Sequence, residues 1–165
     1  MTAIDPQVYR RTLGNYPTGV VIITGHDDEG PVGLAIGSFS SVSLDPPLVG
    51  FLPDKGSSSW PRIERSGAFC VNVLAADQLE VCRAFASRGG DKYQAIDWKS
   101  GATGAPVIDG VVASIDCTVE RVDEAGDHWF VLGRVVEMDI AREDIGPLLF
   151  LRGSYGAFAA FPPAP

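Results

Sequence analysis

The chain has 165 residues, 13 Lys and Arg against 21 Asp and Glu, a net charge of −8 at pH 7, and 45% hydrophobic residues. That suits one globular domain able to fold without metal or disulfides, and it excludes a chain disordered throughout. The acidic balance argues against nucleic acid or an anionic membrane surface as the main partner.

The 19 Gly and 12 Pro imply many turns, which favours a β-rich fold. Asp5-Pro6 followed by Val8, Tyr9 and Leu13 predicts a short helix capped by Asp5 and stopped at Gly14. Val20 to Thr24 is a β-branched run, expected as a strand buried on both faces. Asp27 to Pro31 reads as a turn into a second strand, Val32 to about Phe39. Leu48 to Leu52 follows Pro46-Pro47 as another strand. A polar loop, Lys55 to Ser59, leads to helical turns from Trp60 to Arg65 with Ser59 as cap. Ala68 to Leu74 is a strand. Asp77-x-x-Glu80 reads as a capping box before a helix with Leu79, Cys82, Phe85 and Ala86 on one face, ending near Arg88-Gly89-Gly90.

Asp91 to Ala105 has no period and is expected as a long surface loop. Val111 to Val119 alternates cleanly, with Val111, Ala113, Ile115, Cys117 and Val119 facing the core. A turn over Asp123–Asp127 leads to a return strand, His128 to Met138, with Phe130, Leu132 and Val136 alternating. Leu148 to Leu151 and Tyr155 to Phe161 are final strands, and the Pro-rich tail is expected to fray. Helices do not alternate with strands, so a doubly wound sheet is excluded. The pattern is mainly β, an antiparallel barrel with a few short capping helices, in a single domain spanning 1–165 with its core over about 9–158.

Cys70, Cys82 and Cys117 are odd in number and widely spaced, which predicts three buried thiols rather than disulfides or zinc. With only His26 and His128, no metal site is expected. No apolar signal-peptide core follows Met1, and no apolar run nears membrane-helix length, so a cytoplasmic protein is expected. Residues 55–99 carry seven basic and five acidic side chains, +2 against −10 elsewhere. That middle reads either as a solvated helical face or as a seat for a small anion.

No G-x-G-x-x-G, P-loop or G-x-S-x-G motif is present. The unusual segment is Ala35-Ile36-Gly37-Ser38-Phe39-Ser40-Ser41-Val42-Ser43, where small and hydroxyl residues gather as a strand leaves the sheet. Such residues let a flat ligand approach the backbone. They equally suit a Ser-rich turn that satisfies its own backbone.

The stretch Ser38 to Val49 resembles the signature of the flavin reductase-like family. Tyr16-Pro17-Thr18-Gly19-Val20, Ser57-Ser58-Ser59, Phe69 to Leu74, Asp91-Lys92-Tyr93, Gly104-Ala105-Pro106, Gly126-Asp127-His128 and Pro147 to Phe150 match it in order and spacing. The resemblance covers about residues 9–158. It implies a split β-barrel with Greek-key topology, usually a homodimer, that reduces FMN or FAD with NADH or NADPH and releases reduced flavin to a separate flavin-dependent monooxygenase. The family's flavin segment falls on Ala35, Ile36, Gly37, Ser38, Ser40, Ser41, Val42 and Ser43. Its phosphate region falls on Lys55, Ser57, Ser58, Ser59 and Lys92. Its Gly-Asp-His element puts His128 beside the nicotinamide, to bind or orient it and, as a weaker expectation, to act in catalysis. Relatives often carry Thr at Ser40, and Ala, Ser or Asn at Gly37. The competing expectations are a tightly held flavoprotein and a flavin- or haem-binding barrel without nicotinamide turnover.

Overall fold

The computed structural model describes residues 4–87 and 89–161. A first helix, α1 (Pro6–Leu13), begins as expected, with Asp5 accepting from the Gln7 N–H at 2.7 Å. The strands are β1 (Thr18–Gly19), β2 (Val21–Asp27), β3 (Gly30–Ile36), β4 (Ser40–Ser43), β5 (Leu48–Phe51), β6 (Ala68–Val73), β7 (Trp98–Ser100), β8 (Pro106–Ile108), β9 (Ala113–Ala125), β10 (His128–Ile140), β11 (Leu148–Leu151) and β12 (Ser154–Ala157). Two more helices, α2 (Trp60–Ser66) and α3 (Leu79–Ala86), flank β6 in sequence. All strand pairs are antiparallel.

The main sheet has seven strands in the order β3-β2-β6-β9-β10-β5-β4. Its two edges, β3 and β4, are consecutive in sequence and joined only by Gly37-Ser38-Phe39. Seven strands laid flat would hold those edges ~29 Å apart at ~4.8 Å per spacing. The four backbone steps from Ile36 to Ser40 reach at most ~14 Å. The sheet must therefore curl until its edges meet, which makes a barrel split along that seam. β2 is the doubly buried strand its composition predicts. Val21 and Ile23 point into the barrel with Phe51, Trp60, Phe69 and Val131. Val20, just before the strand, and Ile22 meet Leu74, Phe85, Ile108 and Leu148 outside it.

Several expectations need correction. The Asp91–Ala105 stretch is not structureless: β7 within it pairs with β8. Short strands with an irregular apolar pattern leave no period to read. The turn expected over Asp123–Asp127 shrinks to Gly126-Asp127, with Gly126 at φ +65°, because β9 and β10 run on past the apolar alternation. Trp129, Val131 and Val135 are the β10 side chains that pack into the barrel, rather than Phe130, Leu132 and Val136. Both faces of this strand are apolar, so alternation alone could not choose between them. Asp77 does not cap α3: the N-cap residue is Gln78, and Asp77 pairs with Arg142 at 3.0 Å. Ser59 makes no capping bond to α2. Ser57 Oγ accepts from the Ser59 and Trp60 N–H groups instead. Ala86 is exposed, while Cys82 and Phe85 are buried. Arg88 and residues 162–165, where a helix stop and a frayed tail were expected, lie outside the described residues.

All three cysteines are buried. Burial pushes the Cys70 and Cys117 thiols up to about 12, which keeps them protonated and unreactive at neutral pH. No helix among the described residues is long and apolar enough to cross a membrane.

Gly133 sits in β10 facing the barrel, where an added Cβ would run into the Phe69 ring. Gly133→Ala is expected to cost about 1–3 kcal/mol through overpacking. Urea unfolding should show a lower midpoint with an unchanged slope.

Candidate active site

The barrel seam opens onto a cleft of ≈ 970 Å³. One wall is the end of β3 and the seam, Leu34 to Ser38. Across it stand Asp127 and His128 from the β9–β10 turn. Leu52, Asp54 and Ser57 form the floor, and Tyr9 and Arg10 of α1 lie along one side. Among the described residues, the backbone N–H groups of Gly37, Ser38 and Phe39 donate no hydrogen bond. This is the consequence of a seam: the edges meet without forming a ladder. Unused main-chain donors of this kind suit the heteroatom-rich edge of a flat heterocycle. The residues present therefore fit a flavin ring.

The hydroxyls of this segment are not all free. Ser38 Oγ accepts from the Leu52 N–H at 3.0 Å and lies 3.2 Å from the Leu52 carbonyl, to which it donates. Ser40 Oγ donates to the Ser41 carbonyl at 3.0 Å. The segment is thus partly a turn that satisfies itself. Its ligand-facing polarity lies in the main chain more than in those two side chains. Gly37 packs on β1: an added Cβ would sit 3.1 Å from Thr18 Oγ1.

His128 Nδ1 lies 2.7 Å from Asp127 Oδ1. That bond, with the charge of His128, holds the Asp127 carboxyl below the usual carboxylate range. The ionised carboxylate therefore fixes the imidazole through one nitrogen and leaves the other for a ligand in the cleft. The turn itself is docked: Lys55 N–H donates to the Asp127 carbonyl at 3.0 Å, and Trp129 N–H to the Pro53 carbonyl at 2.9 Å.

A second, smaller pocket of ≈ 360 Å³ is built from the next residues along the same segments. Gly33 follows on from Leu34 along one wall, and Ser58 and Ser59 follow on from Ser57 along the other. Lys92 and Arg62 line it. Lys92 Nζ donates to the Phe85 carbonyl at 3.0 Å and the Gly33 carbonyl at 3.3 Å. Burial among these uncharged groups lowers its pKa.

The expected site residues therefore divide. Ala35, Ile36, Gly37, Ser38, Ser57 and His128 line the main cleft. Ser58, Ser59 and Lys92 line the second pocket. Ser40, Ser41, Val42 and Ser43 form edge strand β4 and line neither. Lys55 also lines neither: its ammonium lies 3.6 Å from Glu124 and 4.7 Å from the centre of the Trp129 ring. The positive middle of the chain is largely neutralised, since Arg62 and Arg65 bind Asp27 and Arg83 binds Glu80. Tyr9, Asp54 and Asp127 were not singled out from the sequence. Of these only Asp127 carried a signal, as the neighbour of His128.

Comparison with known proteins places this architecture. Residues 13–159 match the family described as flavin reductase like domain. A flavin reductase of Pseudomonas putida is 55% identical over 160 residues, covering 96% of this chain and 94% of that protein. The crystal structure of a nitrilotriacetate monooxygenase component B homologue from Mycobacterium thermoresistibile superposes with a TM-score of 0.90 at 47% identity, covering 96% of this chain and 90% of that one. The Streptomyces globisporus NADH:FAD oxidoreductase SgcE6, solved with NAD and FAD fragments, superposes with a TM-score of 0.88 at 36% identity, covering 96% and 98%. With its seam, its paired histidine turn and these matches along nearly its whole length, the chain belongs to the flavin reductase like domain family.

Proposed function

We propose that this chain reduces FMN or FAD with a nicotinamide nucleotide and hands the reduced flavin to a separate flavin-dependent monooxygenase component. The observation that carries the reading is the unpaired backbone N–H groups of Gly37 and Ser38, sharing one cleft with an oriented histidine. A bound flavin supplies the chemistry, by accepting a hydride from the nicotinamide. The protein supplies position. The seam N–H groups hold the flavin's polar edge and stabilise negative charge that grows there on reduction. Ser58, Ser59 and Lys92 take the phosphate, by hydrogen bonds and one positive charge. His128, held by Asp127, orients the nicotinamide over the flavin. Tyr9 and Arg10 of α1 line the same cleft.

The active form on this reading is a homodimer. Val42, on edge strand β4, is 48% exposed. Val42 and Phe130 both approach Gly50 on the same side of the sheet. Exposed apolar surface on a sheet face suits an interface, and a second copy of the sheet could cover it.

With purified protein, excess FMN should permit repeated loss of nicotinamide absorbance, many NADH per subunit. One equivalent consumed would mean a tightly held flavin, and none a binding protein. His128→Ala should raise KM for the nicotinamide by about ten-fold, equivalent to ~1.4 kcal/mol, with little change in flavin affinity. A larger effect on flavin would move His128 out of that role.

Lys92 gives a pH prediction. Its pKa is lowered in the protein, so it loses its proton at a lower pH than a free lysine does. FMN affinity should therefore weaken as pH rises through that lowered value, below the usual lysine range. Riboflavin, which has no phosphate, should not follow. Parallel losses for FMN and riboflavin in a fluorescence titration would remove Lys92 from the phosphate.

A further inference from the structure

In this acidic chain, six of the nine described arginines are engaged by a carboxylate. Arg62 and Arg65 hold Asp27, Arg83 holds Glu80, Arg121 Asp123, Arg134 Glu120, and Arg142 Asp77 and Asp144. Arg10, Arg11 and Arg152 are the exceptions: among the described residues none of them meets a carboxylate. These three line one groove of ≈ 650 Å³, beside Phe150.

The groove is assembled from distant parts of the chain. Arg10 and Arg11 occupy the last turn of α1. Arg152 occupies the β11–β12 turn at φ +51°, a conformation uncommon for a residue with a side chain. Its N–H donates to the Gly14 carbonyl at 3.0 Å, and its Nε donates to Asn15 Oδ1 at 2.8 Å. The guanidinium is thus aimed through Nε, and its terminal nitrogens make no bond among the described residues. Basic residues at a helix C-terminus complement the helix dipole, which accounts for Arg10 and Arg11. It does not account for Arg152, on a separate hairpin. Arg10 lines both this groove and the main cleft, so the two spaces adjoin.

We infer that the groove is a binding site for a phosphate-bearing adenylate, the distal half of a dinucleotide whose reactive half occupies the cleft. The inference rests on the reading of that cleft as a flavin–nicotinamide site. Guanidinium groups take phosphate oxygens in pairs, and Phe150 with the planar arginines offers surface on which a purine stacks. A concave groove next to the cleft suits a small nucleotide better than a protein surface. NADH and FAD share this adenylate chemistry, and the test separates them.

The test uses the double variant Arg11→Gln/Arg152→Gln, with Arg83→Gln as a control on a paired arginine. Calorimetric titration with ADP needs no turnover. The double variant should bind ADP at least ten-fold more weakly than the parent, and the control should not. In steady state, the preference for NADH over reduced nicotinamide mononucleotide should fall about ten-fold if the nicotinamide nucleotide uses the groove. The preference for FAD over FMN should fall instead if the flavin does. Unchanged ADP affinity with both preferences intact overturns the inference, whatever the variant does to a protein partner. A parent protein that oxidises no NADH, but whose ADP binding is lost in the double variant, keeps the groove and refutes the reductase reading. A circular dichroism melt confirms that the variants are folded.

Discussion

A link of three residues between the two edges of a seven-stranded sheet is the constraint on which this structure depends. Gly37-Ser38-Phe39 is too short to cross an open sheet, so β3 and β4 must be brought together and the sheet must curl. Curling creates the interior that Phe51, Trp60, Phe69 and Val131 fill. The same link leaves a line where two edges approach without a ladder, and main-chain donors there go unused. Closure and a short run of free main-chain donors are two results of one geometric condition. A full ladder across the seam would remove the unused edge that distinguishes this site.

The second element is a clamp. Residues 52–57 run between the seam and the histidine turn and are tied to both. Ser38 binds Leu52 on one side; Trp129 binds Pro53 and Lys55 binds the Asp127 carbonyl on the other. Asp54 and His128 also form an isolated β-bridge. The distance across the cleft is therefore set by backbone bonds on the histidine side and by the short Ser38 hydroxyl on the seam side. Hydride transfer gains from such rigidity, because misplacement of the reacting groups by about 1 Å can cost ~10²-fold in rate.

Charge is distributed with the same economy. Most described arginines pair with carboxylates, and Lys92 is held on carbonyl oxygens with its pKa depressed by burial. Positive charge left without an anionic partner is thus confined to a few concave places, the second pocket and the α1 groove among them. In a chain of net charge −8, such places stand out against a background that repels phosphates.

Local pattern in the sequence determined much of the fold. The β-branched run at Val20–Thr24 is buried on both sides and Asp5 caps α1; the small-residue segment leaves the sheet only over Gly37–Phe39, since Ser40–Ser43 rejoins it as β4. These features depend on neighbours within a few residues, which a sequence displays directly. The motif order also pointed to the family, and the residues it named at Ala35–Ser38 and His128 line one cleft. Tertiary structure alone decided which face of β10 is interior, because both its faces are apolar and only packing against Phe69 and Cys117 selects one. It alone decided that β4 lines neither pocket, that Lys55 turns to Glu124 and Trp129, and that Arg152 joins Arg10 and Arg11. Those outcomes follow from contacts between residues far apart in the chain, and no local period records which distant side chains will meet when the sheet curls.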